Sequence, residues 1–185
     1  MNADENRVAE FLVKKGLIAT EFQKHERRRG KKTPDFRVLH NGVFAFFCEV
    51  KSIEKDINEN LRKDPVFNRL TDDIHRALKQ FDAVNPKIEA PNVLALINHD
   101  RSCGFLDLIG VLTGNFIAEN DQPHPIYKQF SEGRIKDEKA RIHLFLWLDD
   151  FKPERLLFSQ THAEFHKQLC GWFGIYPDGI KQISS

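Results

Sequence analysis

Residues 34–53 read PDFRVLHNGVFAFFCEVKSI, and the fold turns on how this stretch folds back on itself. Asn41-Gly42 is a strong short-range hairpin signal between two strand-like runs, 34–40 and 43–53. A two-residue loop there would pair position 35 with 48 and send Asp35 and Glu49 to opposite faces of the sheet. A three-residue loop, His40-Asn41-Gly42, with Gly42 in the left-handed conformation, pairs 35 with 47 instead. Asp35, Glu49 and Lys51 then share one face. Phe36, Val38, Phe44, Phe46, Cys48 and Val50 gather on the other as a continuous apolar surface. The three-residue loop, or an equivalent bulge, is therefore expected.

Around this hairpin the chain alternates helical and extended patterns. Val8, Ala9, Phe11 and Leu12 mark a helix over 4–15, stopped by Gly16. A strand is expected over Leu17–Gln23. Asp64-Pro65 opens a second helix with the apolar stripe Phe67, Leu70, Ile74, Leu78 and Phe81, and Asn85-Pro86 closes it. Asn92 to Asn98 (NVLALIN) is nearly all apolar, as suits a strand covered on both faces. Phe105, Leu108, Ile109 and Leu112 give a third helix, stopped by Gly114. Residues 119–140 read as irregular. Strands follow at Ile142–Leu148 and near 155–159. Thr161-x-x-Glu164 reads as a capping box opening a last helix through Phe165, Leu169 and Trp172. The order predicts an α/β protein with a mixed sheet, since the hairpin is antiparallel and the later crossovers are helical.

With 41% hydrophobic and 30% charged residues in 185, the composition is that of one ordinary globular domain. No apolar run approaches a membrane span, and the polar, acidic N-terminus does not read as a signal peptide. Three cysteines without CxxC spacing point away from a disulfide scaffold and towards a reducing cytoplasm. The formal net charge is only +1, which excludes a generally basic nucleic-acid binder. That average conceals an asymmetry. Residues 24–32 (KHERRRGKK) hold six Lys or Arg against one Glu, while the other 176 residues hold 22 basic against 26 acidic. One concentrated basic loop thus leads directly into Asp35.

The chemistry lies in Pro34-Asp35 and, after thirteen intervening residues, Glu49-Val50-Lys51. Strand side chains alternate, so Glu49 and Lys51 point the same way. Two carboxylates suit Mg²⁺, which takes one or two of them together with waters and substrate phosphate. Such an ion activates water and neutralises phosphoryl charge, and a lysine beside it offsets charge further.

These residues resemble the PD-(D/E)xK nucleases, the restriction-endonuclease-like fold, whose αβββαβ core matches the element order over residues 4–98. Residues 99–185 then form a C-terminal α/β elaboration of a single domain, 1–185. The resemblance implies that Asp35 and Glu49 hold Mg²⁺ or Mn²⁺, that the Val50 carbonyl joins them, and that Lys51 assists the nucleophilic water. Members of the family add a glutamate on the first helix, eleven residues before a glycine, and Glu5 precedes Gly16 by that interval. Glu5 has a second reading of equal weight, as the partner of Asn2 in a capping box. Several branches carry Gln-x-x-x-Tyr on the following helix. Here Gln80 is followed by Val84, and Gln80 is either a reach towards nucleic acid or an ordinary surface residue.

Arg27, Arg28, Arg29, Lys31 and Lys32 are the candidates for gripping the phosphate backbone, since such contacts dominate affinity without reading sequence. His162 and His166 share a helix face but lack the glutamate directly after the first histidine that a zinc-protease helix needs. His99-Asp100 and Asp149-Asp150 stand at strand ends, where they either line a cleft or, as is commoner for such residues, form turns. The expected function is a metal-dependent nuclease, with DNA endonuclease favoured. A two-fold dimer would suit cutting both strands. The alternatives are a non-catalytic nucleic-acid-binding module on the same fold, or a protein-interaction domain.

Overall fold

The hairpin forms from β2 (Phe36–His40) and β3 (Val43–Ile53), joined by a two-residue loop, and of the two expected forms it is the bulge, not the three-residue loop, that occurs. Asn41 and Gly42 both adopt positive φ, 51° and 78°, the geometry that an Asn-Gly tip supplies. The extra residue sits further in. Leu39 pairs with Phe44 but Val38 pairs with Phe46, so Ala45 is a bulge. From there inward Phe36 pairs with Cys48, which sets Asp35 opposite Glu49. The bulge does the work expected of the longer loop. It also corrects the apolar face: Phe44 turns away from that surface, packs at a tilt against Phe47 at 4.8 Å between centroids and stays 41% exposed.

The structure is a computed structural model and describes residues 1–23, 32–55, 65–117, 123–126, 135, 138–159 and 162–175. Its elements run α1 (Ala3–Lys14), β1 (Leu17–Glu21), β2, β3, α2 (Pro65–Val84), β4 (Asn92–Asn98), α3 (Phe105–Thr113), β5 (Asn115–Ile117), β6 (Pro123–Pro125), β7 (Leu144–Asp149), β8 (Arg155–Phe158) and α4 (Ala163–Phe173). This is a mixed α/β fold. One six-stranded sheet has the order β1-β2-β3-β4-β7-β8. β3, β4 and β7 are parallel, and β1, β2 and β8 run antiparallel to their neighbours.

The sheet is covered on both faces, which explains the unbroken apolar runs of β4 and β7. Val50, Val93, Ala95, Leu144 and Leu146 pack with Val8 and Leu12 of α1 and Leu169 and Phe173 of α4. Phe47, Leu94, Leu96, Phe145 and Trp147 pack on the other side with Leu70, Ile74 and Phe81 of α2 and Leu108 of α3. By alternation Glu49 and Lys51 face α2.

Two expectations change. Within the stretch read as irregular, β6 pairs with β5 as a small separate sheet. Its prolines are tolerated because a two-stranded ribbon leaves one side of each strand without ladder bonds. The last helix takes His162 as its N-cap, so Glu164 stands at its second position and is no capping partner. Thr161, like Asp64 before α2, lies outside the described residues.

Candidate active site

Beyond the last β2–β3 rung the two strands are held together by side chains. The Asp35 backbone N–H donates to Glu49 Oε2 at 3.2 Å, and the Val50 N–H donates to Asp35 Oδ2 at 2.8 Å. Each carboxylate thus takes a backbone donor of the opposite strand where ladder bonding stops. In an extended strand a residue's N–H and C=O point to the same side. The Val50 carbonyl therefore also faces the gap beyond β2, beside Asp35.

Lys51 closes the group. Its Nζ donates to Glu49 Oε1 at 2.5 Å and to Gln80 Oε1 at 2.8 Å. Gln80 Nε2 in turn donates to the Thr33 carbonyl at 3.0 Å. Gln80 is buried, not a surface residue, and both ends of its amide are engaged by protein. It fixes Lys51 from α2 and ties down the segment that delivers Asp35.

Glu49 is only 1% exposed. Burial, reinforced by the neighbouring Asp35 charge, pushes its carboxyl up to about 8 despite Lys51. Burial also raises Asp35, against the lowering pull of the Val50 N–H. The Glu5 charge raises it slightly further. A hydrogen bond to Asp35 helps hold the proton on Glu49. A buried carboxyl beside a half-buried one, both raised by burial, is a donor set suited to a hard divalent cation, whose charge would favour the ionised forms. Asp35, Glu49 and the Val50 carbonyl are the oxygens that could hold such an ion. Glu5 is committed elsewhere: it forms the full capping box with Asn2, accepting from the Asn2 N–H at 2.8 Å while its own N–H donates to Asn2 Oδ1 at 2.8 Å. It acts on the site through charge.

Asp73 escapes the sequence reading. It is buried on α2, seven residues before Gln80, receives Arg76 Nη2 at 2.8 Å, and feels the Lys51 charge. Burial raises its carboxyl. The interval of seven, two helical turns, is the signal that marks Asp73 and Gln80 as one polar row beside the apolar stripe. Of the expected backbone grips, Lys32 lies exposed at the rim of a cleft that also holds Lys51. Arg27, Arg28, Arg29 and Lys31 lie outside the described residues.

A second polar cluster caps the C-terminal ends of the parallel strands. His99 Nδ1 meets Asp150 Oδ2 at 2.6 Å and Nε2 meets Asp4 Oδ1 at 3.1 Å, with Glu54 at 3.9 Å. Partial burial opposes a charged ring, but the hydrogen bonds to Asp150 and Asp4 outweigh it and raise the His99 pKa. Arg7 adds an ion pair to Asp150, and Ser52 donates to Asp4. The potential ligand atoms of Asp4, Glu54 and His99 lie within 4.8 Å of one another. With both ring nitrogens taken by carboxylates, His99 staples α1 to the strand ends. Asp100 keeps its turn role, accepting from the Ser102 N–H at 2.9 Å and Oγ at 2.7 Å. His162 packs edge-on against His143, and His166 against Phe158. Among the described residues neither joins a metal-ligand cluster.

Comparison of the chain with protein-family models, with curated proteins and with solved structures returned no match.

Proposed function

We propose that the chain is a metal-dependent nuclease of the restriction-endonuclease-like type, hydrolysing phosphodiester bonds in nucleic acid, with DNA as the favoured substrate. The observation that carries this reading is the convergence of Asp35, Glu49 and Lys51 on one sheet face, produced by the bulge at Ala45 and held by Gln80. The αβββαβ order of α1 through β4 supports it as the order of that fold's core. A bound Mg²⁺ or Mn²⁺ would supply Lewis-acid activation of water and charge neutralisation at the phosphate. Asp35, Glu49 and the Val50 carbonyl would hold it. Lys51, fixed between Glu49 and Gln80, orients the attacking water and offsets charge on the phosphate. Gln80 is a positioning residue. Three unpaired, buried thiols suit the cytoplasm as compartment. Among the described residues no helix is long and apolar enough to cross a membrane.

The test is purified protein on supercoiled plasmid, linear duplex, single-stranded and branched DNA, with Mg²⁺, Mn²⁺ or EDTA. Cleavage should need the metal and fall about 10²–10⁴-fold in Glu49→Ala and Lys51→Ala, the range of a positioned proton-transfer group. Full activity in both variants would remove the reading. Salt-sensitive DNA binding with no turnover in any metal would leave a non-catalytic binding module.

A further inference from the structure

The cleft containing Lys51 runs from the end of β3 to the outer face of α2. It has a volume of about 680 Å³ and is lined by Lys32, Lys51, Asp73, Arg76, Lys79 and Gln80, among others. Four cations from three parts of the chain thus surround one concavity. The acids there are already engaged. Asp73 is buried against Arg76, and Asp82 pairs with Arg141. Arg76 is 63% exposed, so its contact with Asp73 anchors one edge of the guanidinium and leaves the rest to solvent. Lys79 has no ion-pair partner among the described residues. Arg76 and Lys79 stand three apart on α2, which places their Cβ atoms about 5–6 Å from one another on one helix face.

A depression on the far side of these two residues is lined by Asp72 and Glu138 as well as Arg69 and His75, and shares Arg76 and Lys79 as its rim. Each depression is lined by two acids, but the near one, which opens on Lys51, adds Lys32 and Lys51 to the shared Arg76 and Lys79, where the far one adds Arg69 and His75. Arginine held by a buried carboxylate is preorganised for phosphate oxygens, and a lysine beside it acts as a point charge.

We infer that this cleft is the track of the sugar–phosphate backbone, with Arg76 and Lys79 gripping phosphates that flank the one presented to Glu49 and Lys51. This rests on the nuclease reading for the identity of the polyanion and adds its path: across α2, continuing from Lys32. Asp73 is a positioning residue that sets the Arg76 guanidinium.

Binding of fluorescently labelled duplex and single-stranded DNA is measured by anisotropy in EDTA, from low to moderate salt, for wild type, Arg76→Gln, Lys79→Gln and Lys167→Gln. Lys167 is an exposed control on α4, across the sheet. Each cleft variant should bind about 3–10-fold more weakly and lower the salt slope by roughly 0.7–0.9, one phosphate contact, while the control matches wild type. Thermal melts check folding. Lys79→Gln keeps the test valid should loss of the Asp73 partner destabilise Arg76→Gln. Wild-type slopes in folded cleft variants that still cleave would overturn the track and spare the nuclease. Reduced slopes without cleavage in any metal would support the track and remove the nuclease. Absence of DNA binding by the wild type would overturn both.

Discussion

Glu49 holds its proton at neutral pH because burial and the adjacent Asp35 leave ionisation uncompensated, and Lys51 offsets only part of this. The consequence for stability follows from linkage. A free glutamate loses its proton near pH 4.3, whereas the native carboxyl keeps it up to about 8. Between those values the native state binds more protons than the unfolded state, so this group's contribution to stability falls as pH rises through the window and levels off above it. Melting temperatures in EDTA should therefore drop more steeply from pH 5 to pH 8 in wild type than in Glu49→Gln. Parallel curves would show that Glu49 ionises normally. Asp35, Glu49 and Lys51 were legible in the sequence because strand alternation and a hairpin tip suffice to align them. Asp73 was missed, and Gln80 was only partly read. What they do depends on α2 closing over β3, a contact between segments whose separation no local pattern encodes.

At the scale of elements, the hairpin shows how local chemistry overrode an argument from faces. The Asn-Gly dipeptide prefers a tight turn with two positive φ values, and it forms one. The misfit between that turn and the apolar pattern is absorbed four residues from the tip's first residue, at Ala45. Gly42 at φ 78° has open space around it, so Gly42→Ala adds strain without a clash. The expected cost is about 1 kcal/mol in urea unfolding, with the inner pairing and the site intact. A much larger loss would mean that the inner rungs depend on the tip. The boundaries of β3 were readable because the Asn-Gly tip and strand alternation coincide there. The start of α4 was not, since both Thr161 and His162 precede its apolar stripe and only the backbone conformation at His162 selects the cap.

For the molecule as a whole, the C-terminal half is part of the same sheet as the hairpin. β7 pairs along β4 from Val93–Leu144 to Asn98–Asp149. A buried clip reinforces the junction: the Asn92 N–H donates to His143 Nδ1 at 2.9 Å, and Asn85 Nδ2 reaches Asn92 Oδ1 at 2.9 Å. Burial, with the charge of His162 adding to it, pushes the His143 ring down to about 4, so it serves as a neutral acceptor. The αβββαβ unit of α1 through β4 therefore does not stand alone. A chain cut after Asn98 would expose the β4 edge and its apolar face, and it should be unfolded or aggregated by circular dichroism and gel filtration. A soluble, cooperatively melting fragment would contradict this. The α/β class and mixed sheet could be foreseen from the succession of elements. The strand order could not, because β4 and β7 meet across more than forty residues that carry no signal for each other.

The bulge also bears on how this chain can change length. Ala45 and Phe46 both stand opposite Val38, and Ala45 contributes only a methyl group to the core. Losing Ala45 would leave a regular hairpin on the same Asn-Gly tip, with Leu39 still against Phe44, Val38 against Phe46 and Asp35 against Glu49. The position is a spare link. Insertions and deletions can accumulate at and beyond it, while a change of one residue between Phe46 and Glu49 would put the acids out of phase.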